Sequence, residues 1–131
     1  MADRTRERLT ELRTGLLKLH KTLLDSERSV YERDVARIGS TGHYLELVLH
    51  DPWFAWLHEL SKFIVLVDET LDFDVPPTPA DADRLIAQAR DLVMPAENGP
   101  SFARSYFEAM QRDPAVVLAH RDMMRVFAAI P

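Results

Sequence analysis

Hydrophobic positions recur at helical spacing along most of the chain, and no strand-like alternation extends beyond a few residues. This pattern predicts an all-α fold, a single domain over residues 1–131 and a bundle of about six helices. The segment 51–71 is apolar over nearly its whole circumference, so we expect a central helix at about 52–71 that is covered on several sides. Asp51 is its predicted N-cap and Pro52 its first residue. Its predicted core face contains Trp53, Trp56, Leu57, Leu60, Ile64, Val67 and Leu71, and Phe54, Val65 and Leu66 extend the apolar surface.

A long first helix is predicted from about Asp3 to Arg37, with two adjacent stripes of core-facing residues. One stripe is Leu9, Leu12, Leu16, Leu19, Leu23, Ser26 and Val30; the other is Leu17, His20, Leu24, Glu27, Tyr31 and Ile38. Such a helix would be about 50 Å long, whereas a compact domain of this size is roughly 36 Å across. We therefore expect either a bend or break near Gly15 or residues 25–26, or an overhang whose leucines pack against a second copy.

Glycine, proline and capping residues predict where the other helices begin and end. Thr78 and Asp81 resemble a capping box around Pro79. The other predicted helices lie at about 42–50, 79–94, 101–112 and 114–129.

The residues best suited to chemistry lie within helical stripes. His20, Glu27 and Tyr31 share one face of the first predicted helix, and His120 lies among apolar residues of the last. If those helices face each other, the imidazoles and the carboxylate would form an enclosed site for a divalent metal or for acid–base chemistry. The alternative is that each is a core polar group with a neighbour as hydrogen-bond partner.

Trp53 and Trp56 also support two interpretations. They would line a pocket for a flat ligand near the start of the central helix, where backbone N–H groups favour an anionic substituent. Alternatively, they are core residues, because aromatic side chains at helical spacing bury much apolar area. The predicted ligand-binding residues are therefore His20, Glu27, Tyr31, Trp53, Trp56 and His120.

A further histidine set, His43, Glu46 and His50, lies on one side of the second predicted helix at a spacing that suits a metal. We expect this side to face solvent and predict no metal site there, because an exposed face lacks supporting groups. The predicted buried side of this helix is Tyr44, Leu45, Val48 and Leu49. The chain lacks the Glu-x-x-His pairs of ferritin-like di-iron bundles, and it has no nucleophile elbow or glycine-rich phosphate loop.

Composition narrows the class of protein further. The chain of 131 residues has no cysteine, which excludes disulfides and thiolate sites. Its net charge of −5 and lack of a basic run weigh against nucleic-acid binding. The N-terminus lacks the apolar core of a signal peptide, and no apolar stretch approaches the ~20 residues of a membrane span. We expect a cytoplasmic protein that does not bind a membrane, and no cofactor is identified by the sequence.

Several segments of the first half of the chain carry a resemblance. They are LHKTLLDSERSVYE at 19–32, DPWFAWL at 51–57, and the pair Asp68 and Glu69. Together they resemble a group of short uncharacterised bacterial all-helical proteins with no assigned function. The resemblance implies a bacterial source and a helical fold, and it assigns no functional residue.

Three hypotheses of function follow. The preferred one is a non-enzymatic protein that forms a homodimer, or binds a protein partner, through the leucine-rich face of the first helix. The second is a bundle that binds a small ligand or a metal through the core histidines and a carboxylate. The third is an enzyme that uses the same residues as acid and base.

Overall fold

The computed structural model describes residues 4–130, and over this range the chain is an all-α bundle without strands. Its elements are α1 (Thr5–Asp34), α2 (Thr41–His50), a 3-10 helix (Pro52–Leu57), α3 (His58–Asp72), α4 (Pro79–Leu92), α5 (Ser101–Arg112) and α6 (Pro114–Ala129). The predicted fold class, the number of helices and the long N-terminal helix are confirmed.

Helix α1 is the axis of the bundle. It packs against α3, α4, α5, α6 and the 3-10 helix. The leucines of its first stripe are at most 1% exposed, so this face of α1 is buried in the core of a single chain. Those leucines are Leu9, Leu12, Leu16, Leu19 and Leu23.

Of the two alternatives for α1, a break in the helix does not occur over Thr5–Asp34. The helix runs for 30 residues, which is about 45 Å, and it ends at Asp34 rather than near Arg37. Asp3, where we predicted its start, lies outside the described residues. A Cβ atom on Gly15 would lie 3.1 Å from Sδ of Met123 and 3.2 Å from Cγ2 of Val126. Gly15 therefore lets α6 pack closely against an unbroken helix.

The segment predicted as one helix over 52–71 consists of two helical types. Asp51 caps it as expected, because its carboxylate accepts a hydrogen bond of 2.8 Å from the backbone N–H of Trp53. A 3-10 helix has three residues per turn, so side chains three apart lie on the same face. Phe54 and Leu57 share the buried face, whereas Trp53 and Trp56 share a half-buried one. Phe54, rather than either tryptophan, therefore fills the core here.

Helix α3 packs against α1, α4 and the 3-10 helix, and its opposite side is open. Leu60, Ile64 and Val67 are buried, but Val65 is 51% and Leu66 is 42% exposed. The expectation that this apolar helix is covered on several sides is therefore not met on the side of Val65 and Leu66, which residues 4–130 leave open.

The predicted capping box is present at the start of α4. The hydroxyl of Thr78 accepts a bond from the backbone N–H of Asp81, and the carboxylate of Asp81 accepts one from the N–H of Thr78. The predicted starts of α4, α5 and α6 are confirmed. Within residues 4–130, none of the helices has the length and apolar character needed to cross a membrane.

Candidate functional site

His20 of α1 and Ser61 of α3 form a hydrogen-bonded pair, with 2.6 Å between Nε2 and Oγ. The Ser61 hydroxyl also lies 3.2 Å from the backbone carbonyl of Leu57, which can only accept. When both bonds form, the single hydroxyl proton goes to Leu57 and Nε2 of His20 is the donor. Burial lowers the pKa of His20, which favours the neutral imidazole.

This direction of donation argues against an activated serine. Nucleophilic catalysis needs an imidazole that accepts the hydroxyl proton, whereas here His20 donates to Ser61. The pair instead joins α1 to α3 at the edge of the core.

His120 of α6 pairs with a different hydroxyl, that of Tyr106 on α5, at 2.6 Å between Nδ1 and the phenolic oxygen. Burial raises the pKa of Tyr106 well above its ordinary range, so the phenol keeps its proton. Burial also lowers the pKa of His120 and favours the neutral ring. The phenol therefore donates to Nδ1 of His120, and the pair joins α5 to α6.

Glu27 is only 6% exposed, and its carboxylate accepts a bond of 2.8 Å from the guanidinium of Arg112. This ion pair connects α1 to α5 across 85 positions of sequence. A carboxylate held by a guanidinium is already neutralised, so Glu27 is not free to serve as a metal ligand.

The remaining predicted site residues belong to two aromatic clusters. Tyr31 packs edge-on against Trp53, with 5.6 Å between ring centroids, and against Phe54 at 5.8 Å. Trp56 instead packs against Phe102 of α5, at 5.5 Å. The two tryptophans thus have different aromatic partners.

The six predicted ligand-binding residues therefore do not share one pocket wall. They fall into separate groups. His20 pairs with Ser61 and Glu27 with Arg112. Tyr31 packs against both Trp53 and Phe54, and Trp56 is connected to His120 through the rings of Phe102 and Tyr106. Over residues 4–130, no group of three or more histidine and carboxylate side chains is arranged to hold a metal.

The set His43, Glu46 and His50 faces solvent, as expected. Nε2 of His50 is 4.0 Å from the Glu46 carboxylate, and Nδ1 of His43 accepts a bond from the backbone N–H of Gly39. The opposite side of α2 differs from the prediction. Tyr44 and Val48 are half-buried, but Leu45 and Leu49 are exposed.

Sequence reasoning missed a site on the surface formed by α2, α3 and the loop after α3. Half the residues of α2 are apolar, yet none is fully buried. We call the exposed apolar side chains of this region the α2–α3 surface; their exposed fractions range from 42% at Leu66 to 67% at Phe73. Its members are Leu45, Leu49, Val65, Leu66, Phe73 and Val75.

Two shallow grooves show that most of these side chains are contiguous. One, of about 610 Å³, is lined by Leu49, Val65 and Leu66. The other, of about 470 Å³, is lined by Leu66, Phe73 and Val75. The grooves share Leu66 and Glu69, so they form one depression across α3.

Charged side chains flank this depression. Lys62 and Glu69 are exposed on the same side of α3, one before and one after the Val65–Leu66 pair. Across the described part of the chain, neither forms an ion pair. His58 supports the edge, since its Nε2 lies 2.7 Å from the backbone carbonyl of Val48 and links α3 to α2. An apolar depression with polar ends is suited to burying side chains of another molecule.

Comparisons with protein-family models, curated proteins and solved structures gave no match to this chain. The resemblance to short bacterial proteins stays a prediction.

Proposed function

We propose that this chain is a self-associating protein-interaction module that pairs with a second copy through the α2–α3 surface. The observation that supports this proposal is the contiguity of the exposed apolar side chains. Single exposed apolar residues are common on proteins, whereas a contiguous patch of this kind is typical of an interaction site.

The size of the patch suits a dimer contact. The five half-exposed apolar side chains that line the two grooves amount to an apolar area on the order of 500 Å². A standard interface buries about 800 Å² on each partner, with an apolar centre and a polar rim. The charged and polar side chains around the grooves supply such a rim.

The leucine stripe of α1 is less suited to be the interface. Leu12, Leu16 and Leu19 are at most 1% exposed, and a partner would reach them only by displacing other helices of the same chain. Two copies therefore associate through the α2–α3 surface, whose side chains are exposed in the single chain.

A matched pair of substitutions tests this function. Leu66→Glu places a carboxylate in the middle of the α2–α3 surface, and Leu118→Glu does the same at a 50% exposed leucine on α6. We expect sedimentation equilibrium to show a dimer for the unmodified chain and for Leu118→Glu. Dimerisation of Leu66→Glu should weaken at least about thirtyfold, since burying an unpaired charge costs 2 kcal/mol or more.

Circular dichroism controls for folding, and both variants should keep their helical signal because both sites are exposed. A monomer for the unmodified chain at tens of micromolar would overturn the proposed function. A Leu66→Glu variant as dimeric as the unmodified chain would overturn the proposed surface.

A further inference from the structure

The charges on α3 are arranged symmetrically about the centre of the α2–α3 surface. Lys62 precedes Val65 by three residues, and Glu69 follows Leu66 by three residues. All four side chains line the same groove. Lys62 and Glu69 lie two helical turns apart, or about 10 Å along the axis, with opposite charges at equal distances from the centre.

We infer that two copies of this chain pair α3 against α3 in antiparallel orientation, with the two-fold axis passing between Val65 and Leu66. The inference rests on the proposed self-association and specifies its geometry. In such an isologous contact, each residue faces the one equally far on the other side of the axis. Lys62 of each copy then faces Glu69 of the second copy, and the apolar pair meets itself at the centre.

The alternative parallel arrangement is electrostatically unfavourable. With α3 parallel to its copy, Lys62 would face Lys62 and Glu69 would face Glu69, and like charges across an interface cost affinity. Opposite charges at the ends of the antiparallel contact instead select its register.

Both charges are available for this role. Across residues 4–130 neither Lys62 nor Glu69 forms an ion pair. The neighbouring Asp68, by contrast, is bound by Arg13 of α1. The two end charges of the groove are thus without an ion-pair partner among the described residues, while a charge beside them is neutralised.

The next pair outward constrains the crossing angle. Glu59 and Asp72 are both exposed and both acidic, and they would face each other in this arrangement. The two copies of α3 must therefore diverge away from the axis, as in the common packing class that crosses at about 50°. The wedges that open on either side are where Leu49 and Phe73, which flank α3, would pack.

Charge reversal gives a direct test. Lys62→Glu leaves two acidic ends and Glu69→Lys leaves two basic ends, so each variant alone should dimerise at least about tenfold more weakly than the unmodified chain. An equimolar mixture of the two variants should form a heterodimer with affinity restored, because each acidic end then faces a basic one. Labelling one variant with a heavy nitrogen isotope distinguishes the heterodimer in native mass spectrometry.

Glu11 and Lys18 provide matched controls, since they are exposed on α1 and also seven residues apart. Glu11→Lys and Lys18→Glu, alone or mixed, should leave dimerisation unchanged. If the unmodified chain dimerises but the Lys62→Glu and Glu69→Lys mixture gains nothing over the single variants, the antiparallel geometry is wrong while self-association stands. If the unmodified chain is monomeric, the proposed function itself fails.

Discussion

Individual buried polar residues each join two helices of this bundle. The Glu27–Arg112 ion pair is the most enclosed of these links, because Glu27 is 6% exposed and the two atoms in contact are 2.8 Å apart. In a low-dielectric interior, an ion pair matters chiefly because removing one partner leaves the other unpaired. The Glu27–Arg112 ion pair therefore fixes the position of α5 against α1.

Arg112→Met should lower the free energy of unfolding by about 2–4 kcal/mol, because it leaves the Glu27 carboxylate buried without a cation. Arg104→Met on the same helix is the matched control. Arg104 pairs with Glu108 on an exposed face, so its loss should fall within about 0.5 kcal/mol. Urea denaturation followed by circular dichroism measures both, and equal losses would contradict a structural role for the buried pair.

Stability should also depend on pH through His20 and His120, because burial lowers the pKa of both. In the unfolded chain a histidine has a pKa of about 6.5. Below that pH the unfolded state binds more protons than the folded state. The contribution of each neutral histidine to stability is therefore fully present above the unfolded pKa, and it is lost as the pH falls through the lower pKa of the folded state. We expect a smaller free energy of unfolding at pH 5 than at pH 7.5, and a reduced difference in His20→Gln and His120→Gln. Identical pH dependence in these variants and the unmodified chain would contradict it.

The residues that pair in this way could be predicted individually but not as pairs. His20, Glu27 and His120 stand out in the sequence because polar groups interrupt apolar stripes. The sequence does not indicate that their partners are Ser61, Arg112 and Tyr106, since these lie on other helices and only the packing brings them close. A site that combines His20 and His120 requires these two faces of α1 and α6 to meet, and the pattern of apolar stripes does not determine which helix faces meet.

At the scale of elements, local capping residues explain which boundaries are predictable. Asp51, Thr78 and Asp113 each accept a backbone N–H at a helix start, and these starts match the prediction. The 3-10 character of Pro52–Leu57 was not predictable, because an N-cap followed by proline begins either type of helix. Its tighter winding decides that Phe54 and Leu57 point to the core.

Gly99, in the loop between α4 and α5, is closely packed against two alanine side chains. A Cβ atom on Gly99 would lie 2.9 Å from the Cβ of Ala96 and 3.1 Å from that of Ala103. Neither methyl can rotate away, so Gly99→Ala should destabilise the fold by about 1–3 kcal/mol. Gly39→Ala is the control, because nothing lies within 4 Å of its added Cβ. It should be neutral or stabilising by up to about 1 kcal/mol.

Thermal unfolding of the two glycine variants compares them directly. If Gly99→Ala and Gly39→Ala had the same melting temperature, the loop would relax freely around the added methyl group, which would contradict the prediction. Because neither glycine has a positive φ angle, any difference reports packing rather than backbone strain.

For the whole molecule, the distribution of apolar residues explains what the sequence could and could not indicate. The all-α class follows from helical spacing along most of the chain, and it is confirmed. The side of α3 that stays open does not follow, because Val65 and Leu66 are as apolar as the buried Ile64 and Val67. A helix that keeps apolar residues on its open side, as α3 keeps Val65 and Leu66, leaves a surface that a second chain can cover.

The contact of α1 with α6 also has a consequence for synthesis on the ribosome. Gly15 and Leu19 of α1 are made before Met123 of α6, which packs against Gly15. Part of the leucine stripe therefore has no cover until α6 has left the exit tunnel, and unshielded apolar surface on a nascent chain invites aggregation or chaperone binding. The core of this bundle closes only when the two ends of the described chain meet.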